Sequence, residues 1–173
     1  MKAKASILIP SLTLAMACAG GEADQAATTL PDAIHGLQRV EEQSGDEAAE
    51  MIGGMHGRRV APTNSQVAYY GPEDMRAVLY VSEFESDEAA QEQLNAMAAG
   101  IGEGTAEYGH HNQFEVEGRQ IHSVFGEGQI HYFYTDGTDL VWVSLPTVIA
   151  RPGLAEVLKV EASSIPPLGP VGG

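Results

Sequence analysis

An α+β fold is predicted by three features of the chain. Four β-rich segments in the second half, residues 113–117, 119–125, 129–135 and 139–145, follow one another with only glycine-containing turns between them, which is how an antiparallel meander reads. Two first-half segments, following Ser44 and Ser86, place apolar residues at helical spacing behind a capping serine. Strand-like segments flank both, giving the order strand, helix, strand, strand, helix, strand.

Residues 33–42 (AIHGLQRVEE) alternate loosely enough for a first strand, with Gly36 as its weak point. Ser44 and Glu47 make a capping box, and Ala48, Met51, Ile52 and Met55 fall on one helical face before Gly57 ends it. Residues 66–70 and 77–84 are apolar, β-branched and aromatic, and Gly71-Pro72-Glu73-Asp74 punctuates them as a turn. An antiparallel pair is expected there. Ser86 caps a second helix over residues 87–101, with Ala90, Leu94, Met97, Ala98 and Ile101 as its buried stripe. Asp-Glu-Ala-Ala opens both helices, which acidic capping of the helix dipole explains without duplication.

Glu127-Gly128 and Asp136-Gly137 read as two-residue hairpin turns in the meander. On that register Val124 faces His131, which faces Trp142, and His122 faces Phe133 and Leu140. Ile121, Ser123, Phe125, Ile130, Tyr132, Tyr134, Val141 and Val143 fill the other side. Both sides are largely apolar, so each requires a cover, either helices or a partner. Pro152 introduces a closing helix with Leu154, Val157 and Leu158 inward, and the Pro- and Gly-rich residues 163–173 read as a disordered tail. The expected architecture is a ferredoxin-like βαββαβ start, extended by an antiparallel β-meander and a C-terminal helix, all within one domain of residues 30–162.

Residues 1–17 read as an export signal. Lys2 and Lys4 precede an apolar run from Ile7 to Ala17, and Ala15-Met16-Ala17 has the small-x-small form of a cleavage site. Pro10 and Ser11 interrupt the run, which falls short of the ~20 apolar residues that span a bilayer. Leu14-Ala15-Met16-Ala17-Cys18 resembles the lipobox of bacterial lipoproteins, although the family places leucine one step nearer the cysteine and a small residue where Met16 stands. The resemblance implies diacylglycerol on the Cys18 thiol, cleavage before Cys18, and anchoring of the mature chain. The alternative is ordinary secretion, leaving Cys18 as a free thiol in a soluble periplasmic or secreted protein. Cys18 is the chain's one cysteine, so no intramolecular disulfide competes for it. Residues 18–29 are small and acidic and read as a flexible tether. Ala19 in place of aspartate favours the outer membrane, if the organism has one.

Loss of Lys2 and Lys4 from the 9 basic residues leaves 7 against 24 acidic ones, a mature net charge of −17. Such a surface repels nucleic acid and anionic headgroups, both of which are bound through Lys and Arg. The partners expected are the membrane, through acylated Cys18, and a protein or other component of the envelope.

No catalytic site and no cofactor is expected. Ser82, Ser123 and Ser144 lack a nucleophile elbow, and Gly102-Glu103-Gly104 and Gly126-Glu127-Gly128 lack the basic partner of a phosphate loop. The histidines come closest to a site: His110 and His111 in a glycine-rich stretch, and His122 and His131 on one meander face with Trp142. Imidazole suits Zn, Cu or Ni, yet no metal-ligand spacing accompanies them, so packing is the expected role and no metal is assigned. Met51, Met55 and His56 would make a soft copper set on one helix turn, but Met51 and Met55 are explained as core. The expected function is a lipid-anchored envelope protein with a non-enzymatic binding domain; the alternative is a small-ligand or metal binder using His122, His131 and Trp142, with His110 and His111 nearby.

Overall fold

The computed structural model describes residues 29–55, 62–102 and 108–167, so the signal, Cys18 and residues 19–28 of the tether lie outside the described residues. Its first strand is shorter than the alternation suggests. His35 and Gly36 both take positive φ, 45° and 83°, and make a two-residue turn between β1 (Ala33–Ile34) and β2 (Leu37–Ser44). Gly36 therefore ends a strand instead of weakening one. Ser44 remains in the ladder opposite Gln66. The cap passes to Gly45, at φ 65°, whose carbonyl accepts the first helical hydrogen bond from Ala49 at 2.9 Å. The helix α1 (Asp46–Met55) follows.

β3 (Asn64–Tyr70) and β4 (Ala77–Glu83) form the expected antiparallel pair, with a 3₁₀ turn at Glu73–Met75 between them. Ser86 Oγ accepts from the Ala89 N–H at 3.3 Å and caps α2 (Asp87–Gly102). The meander is β5 (Tyr108–Val116), β6 (Arg119–Gly126), β7 (Gln129–Asp136) and β8 (Asp139–Pro146), and α3 (Ala150–Leu158) closes the order.

The fold is α+β: the strands make one eight-stranded sheet, β1-β2-β3-β4-β8-β7-β6-β5, antiparallel throughout. The ferredoxin-like start is corrected by this order. A split βαβ needs the strands on either side of each helix to be parallel, with another strand between them, but β2 and β3, which flank α1, are antiparallel neighbours. β4 has β3 on one side and β8, from the second half, on the other, and all of these pairings are antiparallel. The chain instead crosses from β4 through α2 to the far edge, β5, and the meander returns strand by strand to close on β4.

Each sheet face is covered by helix. On one, Leu154 and Leu158 of α3 join a core with Leu79, Tyr132, Val143 and Leu145. Gly153 makes that approach close, since a Cβ there would lie 3.2 Å from Leu145 and 3.3 Å from Ile34. On the other face, Ala48 and Ile52 of α1 pack on Val67 and Val78. Leu94 of α2, supported by Met97, Ala98 and Ile101, packs on Val124, Phe133, Leu140 and Trp142. Burying one such side chain contributes about 1.5–3 kcal/mol, so the expected stripe of α2 is its reason to lie there.

Two expectations are displaced at the chain's turns and end. Glu127 and Gly128, at φ 51° and 76°, form the expected turn, but the next loop is Gly137-Thr138 rather than Asp136-Gly137. Gly137, at φ 60°, takes the first loop position, as a type II′ turn requires, and Asp136 stays in β7 opposite Asp139. The register moves by two: His131 faces Ser144, and Trp142 faces Phe133. A shift of two preserves the face of every side chain. At the C-terminus, a 3₁₀ turn spans Ala162–Ser164, and Ile165 is 1% exposed within the α3 core, its carbonyl accepting from Arg151 Nε at 2.7 Å. Packed chain thus continues beyond Ala162.

Candidate functional site

Strand alternation sends every second side chain of the meander toward α2. Phe133 and Trp142 lie nearly parallel, 5.0 Å between ring centres, as do His122 and Phe133 at 4.9 Å. His111 continues the row on β5, 5.2 Å from His122. A line of four rings therefore crosses four strands, from a buried Trp142 to an exposed His111. Tyr108 meets Trp142 and His131 edge-on at 5.7 and 5.1 Å.

His131 belongs to a hydrogen-bond network that joins the row at Trp142. Its Nδ1 lies 2.7 Å from Ser144 Oγ, its Nε2 lies 3.0 Å from the Gly126 carbonyl, and Trp142 Nε1 donates toward both Ser144 Oγ and His131 Nδ1 at 3.3 Å. One proton arrangement satisfies all of it. Nε2–H donates to the Gly126 carbonyl, the Ser144 hydroxyl donates to Nδ1, and the indole donates to Ser144. Burial holds the His131 pKa below the usual imidazole value, against the opposite pull of the Gly126 carbonyl and the Glu127 charge. The serine and imidazole resemble half a hydrolytic triad, but Ser144 is 5% exposed and His131 2%. A fully partnered buried network of this kind specifies packing.

At the other end of the row, His111 Nε2 and His122 Nδ1 are 3.0 Å apart, and His122 Nε2 lies 3.5 Å from the Gln113 amide. Burial first, and the neighbouring His111 second, lower the His122 pKa. His110 joins neither network. It sits at φ 56° in the register shift of β5 between Gly109 and Asn112, exposed, with its carbonyl accepting from Asn112 Nδ2 at 3.1 Å. Among the described residues, no group of three or more His, Cys, Asp or Glu converges as a metal site. Met51 accepts from the Tyr69 hydroxyl at 3.0 Å, whereas the Met55 side chain and His56 lie outside the described residues.

No family model matches this chain, and neither a curated protein nor a solved structure is detectably similar to it.

Two surface features remain. A cleft of about 650 Å³ opens between residues 29–32, β2, the ends of β3, β4 and β8, and Lys159 just past α3. Arg39 lies in it, but its guanidinium is held by Asp32 and Glu42, each at 3.1 Å. The second feature is β5. Sequence reasoning gave it only residues 113–117, because Gly109 and the paired histidines read as loop; the strand runs from Tyr108 to Val116. It is a sheet edge, paired only with β6 among the described residues. From the turn at Glu117-Gly118, hydrogen-bonded and non-bonded pairs alternate. Phe114 and Val116 therefore direct their N–H groups to β6, and Gln113 and Glu115 direct theirs outward.

Proposed function

We propose that this protein is a lipid-anchored, extracytoplasmic binding domain that receives an extended segment of a partner protein as an added strand along β5. The observation that carries the proposal is the contrast between the two edges of the sheet. Folded proteins blunt their edges with very short strands, charged side chains, Pro, bulges or a covering element. At the opposite edge β1 has two residues and covers only Leu37 and Gln38, and the rest of β2, RVEEQS, carries Arg39, Glu41 and Glu42. β5 has nine, YGHHNQFEV, without Lys, Arg or Pro, and most of it is exposed; its register shift lies between Gly109 and Asn112 and leaves the stretch from Asn112 to Val116 regularly paired with β6. Outward N–H and C=O groups at Gln113 and Glu115 supply the hydrogen bonds of strand addition, and the pockets between alternate side chains supply selectivity. The chain's net charge of −15 favours a neutral or basic partner segment.

Anchoring through Cys18 rests on the lipobox resemblance. Two acyl chains hold a protein stably where one does not, at ~0.8 kcal/mol per buried methylene. Among the described residues no helix is long and apolar enough to cross a membrane. Cys18→Ala should shift the protein from the membrane to the soluble fraction; unchanged fractionation would refute the anchor. The small-ligand alternative built jointly on His122, His131 and Trp142 draws no support from a geometry in which His131 and Trp142 are bonded to Ser144 and to each other.

The β5 reading is tested in cells by a photoreactive residue at Glu115, with one at Glu92 on α2 as control. Glu115 should yield a defined crosslinked partner that Glu92 does not. Adding Gln113→Pro, which removes an outward N–H while sparing the β6 ladder, should abolish it. Equal crosslinking from both sites, or survival with proline, refutes the reading.

A further inference from the structure

The row of rings ends in two imidazoles with a nitrogen of each facing the other. His111 Nε2 and His122 Nδ1 are 3.0 Å apart, a distance that a shared proton explains and that one metal ion also fits. Two imidazole nitrogens each about 2.0–2.1 Å from an ion are about 2.9 Å apart at a right angle and about 3.3 Å apart at the tetrahedral angle. The spacing found here matches the right angle. Right-angle nitrogen pairs with open remaining positions suit tetragonal Cu(II) or Ni(II) better than tetrahedral Zn(II).

We infer that His111 and His122 form a two-imidazole site for Cu(II) or Ni(II) at the β5 edge of the sheet. His122 is held from three directions. It is 6% exposed, stacked on Phe133, and bonded at Nε2 to the Gln113 amide. With the amide turned to present its oxygen, Nε2–H donates to Gln113 and Nδ1 is left as the lone pair that binds metal, the outer-shell arrangement that fixes a ligating histidine. His111 is exposed, so a tilt of its ring turns the Nε2 lone pair off the N···N line and onto an ion while the nitrogens keep their spacing, and the site opens to solvent without unfolding. Water fills the remaining positions, and both imidazoles bind in their neutral forms. The inference stands apart from strand addition, since it uses side chains of β5 and β6 and none of the outward backbone groups.

The test is titration of the mature chain, carrying Cys18→Ser to remove the thiol, with Cu(II), Ni(II) and Zn(II) in turn, followed by electron paramagnetic resonance of the copper form. Cu(II) and Ni(II) should bind one per chain and more tightly than Zn(II), with two imidazole nitrogens in the copper spectrum. His111→Gln and His122→Gln should each weaken binding by ~10-fold or more, Gln113→Ala by ~10-fold, and His110→Gln by less than ~2-fold. His111 is exposed, so its variant keeps the fold and isolates the ligand from any packing role. Unchanged affinity in His111→Gln, fewer than two imidazoles in the spectrum, or no binding would overturn the site.

Discussion

Burial decides which form of His131 the folded chain accepts. The ring is 2% exposed and already has partners on both nitrogens, so a second proton has no acceptor and costs desolvation. Its pKa is accordingly lowered. Between the ordinary imidazole value of ~6.5 and that lower value, the unfolded chain binds a proton that the folded chain refuses, so this contribution to stability is full above ~6.5 and is lost as pH falls through the folded value. Urea melts from about pH 7.5 down to about pH 5 should therefore show wild type losing stability relative to His131→Gln; parallel or opposite slopes would contradict it. That His131 shares a face with Trp142 was legible from alternation alone. Its direct partner was not, because Asp136-Gly137-Thr138 offers two turns with glycine in either loop position, and only one pairs His131 with Ser144.

Helices and hairpins were legible where periodicity and glycine agree. The stripe of α2, the turn at Glu127-Gly128 and the start of α3 near Pro152 all follow from local rules. Local rules failed where a long-range contact decides. Residues 163–167 have a tail's composition, yet Ile165 lies in the α3 core and Arg151 bonds its carbonyl. Ile165→Ala should lower stability by roughly 2–5 kcal/mol, the cost of emptying a buried isoleucine site. A chain ending at Ala162 should lose at least as much, and one ending at Pro167 should not. Full stability of the shorter chain in urea would place Ile165 outside the cooperative unit. β5 was under-read for a related reason. Its first half has no apolar alternation, because that edge strand is exposed on most of its length, and a polar edge leaves no periodic trace.

The order of strands is the property least visible in the chain. Secondary structure predicts which segments are β, but the pairing of β4 with β8 joins segments more than fifty residues apart, and only the closing of the sheet over both helix layers selects it. That closure leaves one edge where β1 covers only the start of a charged β2 and another, β5, of nine residues without Lys, Arg or Pro, and the proposed function rests on the second. Amide hydrogen exchange reads that edge residue by residue. In the purified mature chain, the outward amides of Gln113 and Glu115 should exchange quickly while those of Phe114 and Val116, bonded to β6, are protected. On native membranes of the cells that make the protein, with its partner present, Gln113 and Glu115 should slow by ~10-fold or more, each outward bond then being closed by an added strand. If they stay fast on the membrane while another surface becomes protected, β5 is not where the partner binds.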